Sequence, residues 1–158
     1  MANNVVRRTE LLSTGDMARF VARGFLRFDG LIPDEINRDF LERVMQDDVR
    51  SHPPGTPLAD CYATCPPISA LLQLPKVAGM IQSLVGLNPL FDHHAVHHCP
   101  PHQARAQDTH ADSIVDVRST AFDIQLMYYP HEVTASMGGT RYIPGSHFRR
   151  INEMAIAR

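Results

Sequence analysis

The sequence predicts a mainly β fold behind a set of N-terminal helices, and three observations lead there. Its 158 residues suffice for one domain built on one core. Apolar residues recur at helical spacing only before Asn88-Pro89. Beyond that point short strand-like runs alternate with turn signals. The outline is an α+β chain, or a β-barrel wearing a helical coat, with 1–89 as the helical part and 90–158 as the β part of a single domain.

Ser13, Thr14 and Asp16 open a first helix whose apolar face is Met17, Phe20 and Val21, and Gly24 closes it. Phe25 to Phe28 reads as a short strand ended by the turn signal Asp29-Gly30. Pro33 and Asp34 begin a second helix with Ile36, Phe40, Leu41 and Val44 as its buried stripe and acids in its first turn. The density of Pro, Gly and Thr from Ser51 to Pro67 predicts a loop. Two helices follow, Ile68 to Gln73 and Lys76 to Val85, broken at Pro75 and stopped at Gly86. The β part comprises Leu90 to His98, Thr109 to Val117, Ala121 to Tyr129 and Thr140 to Ile143.

Composition narrows the function. Fifteen basic against seventeen acidic residues leave a formal charge of -2, so no cationic excess exists to hold a nucleic-acid backbone. No apolar run reaches the roughly 18 residues of a membrane span, and the first thirty residues hold no stretch of signal-peptide length. Cys61, Cys65 and Cys99 are an odd number without a second closely spaced pair, which fits reduced thiols in a cytoplasm. Histidine is the anomaly. Of nine, six (His93, His94, His97, His98, His102 and His110) fall between residues 93 and 110.

On a strand His110 and Asp112 project to the same side, offering an imidazole and a carboxylate. Joined by a distant histidine, such a pair makes the facial triad of non-haem Fe(II), which leaves positions open for substrate and oxygen. Nine His and twelve Asp would produce about 0.7 such triplets by chance, so the surrounding residues must carry the weight. They run Gln107-Asp108-Thr109-His110-Ala111-Asp112, then Phe122 to Tyr129, then Gly138-Gly139-Thr140-Arg141-Tyr142-Ile143-Pro144-Gly145-Ser146-His147. Together, and with Gly24-Phe25-Leu26 through Leu31-Ile32-Pro33 near the start, they resemble the phytanoyl-CoA dioxygenase family of Fe(II)/2-oxoglutarate oxygenases.

The resemblance implies a double-stranded β-helix, the cupin-like jelly roll, with Fe(II) between its sheets and 2-oxoglutarate as cosubstrate. It implies hydroxylation of a small organic molecule, with His110 and Asp112 on the iron and His93 and His97 beside the cosubstrate; the alternative for these last two is a structural, hydrogen-bonded role. One departure stands out. The family's third ligand is a histidine well beyond the Pro-Gly-Ser-His segment, followed eleven residues later by an arginine that binds the far carboxylate of 2-oxoglutarate. His147 and Arg158 have that spacing, but His147 matches the turn motif rather than the distal ligand. The expectation is therefore an incomplete jelly roll from a truncated reading frame, with little turnover and a tendency to self-associate through unpaired sheet edges. Two alternatives stand beside it, a non-catalytic remnant of the family and a cupin-like metal enzyme that uses His147 as third ligand.

Overall fold

A computed structural model describes residues 10–45, 55–58, 60, 66–91, 108–110 and 124–148. Within them lie four α-helices, α1 (Thr14–Arg23), α2 (Asp34–Met45), α3 (Pro66–Gln73) and α4 (Pro75–Val85). One two-stranded antiparallel sheet joins β1 (Thr56–Pro57) to β2 (Leu90–Phe91), with Thr56 opposite Phe91 and Pro57 opposite Leu90. Short 3-10 turns occupy Ala135–Met137 and Ser146–Phe148. The chain divides into two compact units, Met1–Thr14 with Phe28–His97, and Gly15–Arg27 with His98–Arg158.

The first unit owes its core to α3 and α4. Pro66 and Pro67 stand in the first turn of α3, where their missing N–H groups cost nothing, so this helix begins two residues before the expected Ile68. Pro75 does the same for α4. The two helices meet at a 72° bend, and Leu71, Leu72, Val77, Met80 and Ile81 are buried around it. Helix α2 packs against α3, with Ile36, Phe40 and Leu41 half-buried. Gly86, at φ 89°, ends α4 with its N–H on the Gln82 carbonyl.

Residues 10–12 lie along α4. The Leu12 N–H donates to Ser83 Oγ at 2.9 Å, and that hydroxyl donates to the Gly79 carbonyl at 2.7 Å. A Cβ on Gly79 would stand 2.1 Å from the Glu10 carbonyl oxygen, so only glycine admits this approach. Leu12 completes the core at 8% exposure. Among the described residues no single helix is long and apolar enough to cross a membrane. Helices α3 and α4 reach the required length only as a bent pair, and their apolar side chains supply the core just described.

In the second unit α1 ends as predicted at Gly24, which takes φ 81° and donates its N–H to the Phe20 carbonyl. The apolar face is only partly covered, because Val21 is 59% exposed. Phe25 stacks on Tyr142 with ring centroids 5.6 Å apart.

The mainly β, jelly-roll expectation is overturned. Phe25 to Phe28, 124–129 and Thr140 to Ile143 are not strands, and of Leu90 to His98 the described residues, Leu90 and Phe91, pair with β1. The physical reason is visible in burial. A jelly-roll strand alternates covered and uncovered side chains, whereas half-buried Ile124, Met127 and Tyr128 are interleaved irregularly with exposed Gln125, Leu126 and Tyr129. Thr140 to Ile143 are exposed throughout. The described part of the chain is helical, with a two-stranded ribbon in place of facing sheets. Residues 92–98, 111–117 and 121–123 of the expected strands lie outside the described residues.

Candidate metal centre

His110 is exposed, one residue after a single bridge position at Thr109. Its Nδ1 lies 2.7 Å from the backbone carbonyl of Asp108. A carbonyl oxygen only accepts, so Nδ1 carries the proton in this bond, and in the neutral ring the lone pair belongs to Nε2. Metal-bound histidines are held in this way, one ring N–H given to a carbonyl while the other nitrogen faces the ion. This hydrogen bond fixes Nδ1 as the protonated nitrogen of His110. Asp112, His93, His97 and Arg158 lie outside the described residues.

His147 is placed differently. Pro144 and Gly145 form a turn with Gly145 at φ 77°, the Ser146 N–H meets the Ile143 carbonyl at 3.1 Å, and the Phe148 N–H meets the Gly145 carbonyl at 3.2 Å. The turn lies against the end of α1, where the Gly145 N–H donates to the Arg23 carbonyl at 2.9 Å. His147 Nε2 lies 2.9 Å from the Val21 carbonyl and, by the same argument, carries the proton. Nδ1 is directed at Gly24, where a Cβ would be 2.3 Å away. Phe148 covers the ring at a centroid distance of 4.0 Å. Both nitrogens thus face the last turn of α1, and His147 satisfies a carbonyl that a helix C-terminus leaves without an intrahelical donor.

Among the described residues no group of three His, Cys, Asp or Glu side chains is assembled that would hold a metal ion. His110 belongs to no such group among the described residues. A feature that residue types did not reveal is Met127, whose sulfur accepts the hydroxyl of Tyr142 and, at 3.9 Å, that of Tyr129. Beside it, burial pushes the Tyr128 phenol up to about 12. Aromatic side chains in an apolar run read equally well as packing, and no spacing rule ties residue 127 to residue 142.

Comparison with models of protein families, with curated proteins and with solved structures finds no match to this chain. A functional reading therefore rests on its own residues.

Proposed function

We propose that the chain carries the metal-binding segment of an Fe(II)/2-oxoglutarate-dependent dioxygenase acting on a small organic molecule, with His110 and Asp112 as two of the protein ligands. The observation that carries this reading is the His110-Ala111-Asp112 spacing within the segments that resemble the family, and the hydrogen bond of His110 Nδ1 to the Asp108 carbonyl is of the kind that orients metal-bound histidines. The turn at Pro144-Gly145 supports it from the sequence. Fe(II) in such a site supplies oxygen activation coupled to decarboxylation of 2-oxoglutarate. The chain's own residues would hold the ion, His110 through a neutral ring nitrogen and Asp112 through a carboxylate that would offset the ion's charge.

A second reading, a member of the same family that binds metal without turnover, is favoured by the position of His147. Its Nε2–H is committed to Val21, and recruiting it to a metal would uncap α1. Two protein ligands leave an ion mostly hydrated, so affinity should be weak.

The test is an anaerobic titration of the purified chain with Fe(II), or with Co(II) as a spectroscopic probe, beside His110→Ala and His147→Ala. We expect weak binding in the wild type and in His147→Ala, and its loss in His110→Ala. Equal binding by His110→Ala would overturn the assignment. A succinate assay with 2-oxoglutarate separates the two readings of activity, because iron-dependent succinate means turnover. If that succinate vanishes in His147→Ala, the histidine is the third ligand after all.

A further inference from the structure

We draw no further inference here: the strongest candidate, the set of exposed apolar side chains Leu126, Tyr129, Met137, Ile143 and Phe148 in the C-terminal stretch of the second unit, carries nothing because nothing in the structure shows what covers them.

Discussion

The imidazole of His147 and the bare Cα of Gly24 occupy one another's space, which makes the two residues a single feature. Gly24 is needed twice, once for its φ of 81° and once because a Cβ would strike the ring. Replacing it by Ala should destabilise the fold by more than about 1 kcal/mol. Removing the ring instead, as in His147→Ala, should cost about 1 kcal/mol or less, since the bond to Val21 is exposed. The double variant should cost less than the sum, because without the imidazole the new methyl has room; urea unfolding of the four proteins measures the coupling. A strictly additive pair would mean that the ring and Gly24 do not touch in solution. Tyr128 supplies a pH prediction. Its phenol ionises at about 12 in the fold against 10.0 for the free group, so the unfolded chain loses that proton first. Stability from this group is fully present below pH 10 and falls as pH rises towards 12. Tyr128→Phe should flatten that alkaline slope in a pH series of thermal melts.

At the level of elements, the corner between α3 and α4 holds the described core of the first unit. Leu71 is 5% exposed, and Leu71→Ala should cost roughly 2 to 5 kcal/mol through the cavity it leaves, read as a lower urea midpoint at unchanged slope. Gly79→Ala tests the approach of residues 10–12: the added methyl meets a backbone carbonyl, which cannot swing aside as a side chain can, and overpacking of this kind costs about 1 to 3 kcal/mol. Protection of the Leu12 amide against hydrogen exchange should fall with it; an unchanged Leu12 amide would show that the segment does not lie on α4. These helices were legible in the sequence because their signals are local. Pro75 marks the break, Gly24 and Gly86 the stops, and Asp34 and Glu35 the acidic first turn of α2. The strands were not legible for the opposite reason. An apolar run such as 124–129 becomes a strand only when another segment pairs with it, and nothing within six residues says whether that partner is present.

For the molecule as a whole, the division into two units makes a prediction about independence. Leu71→Ala and His147→Ala fall in different units, so their effects on stability should add within roughly 0.3 to 0.5 kcal/mol. A larger coupling in a calorimetric double-mutant cycle would mean that the units fold as one. The candidate site was legible only as residue types. The His-x-Asp spacing singles out His110, but the carbonyl that sets its tautomer belongs to the backbone of Asp108 and would be there whatever residue stood at 108. His147 was legible as part of a turn, while its partner, the carbonyl of Val21, lies 126 residues away with no pattern connecting them. That separation also has a meaning in time. At a ribosomal rate of about 5 to 20 residues per second, Ser83 follows Leu12 by roughly 4 to 14 s, whereas His147 follows Val21 by roughly 6 to 25 s. A ten-residue helix is marginal by itself in water. Helix α1 must therefore wait, its last turn frayed, until the residue that caps it, 126 positions later, has been made.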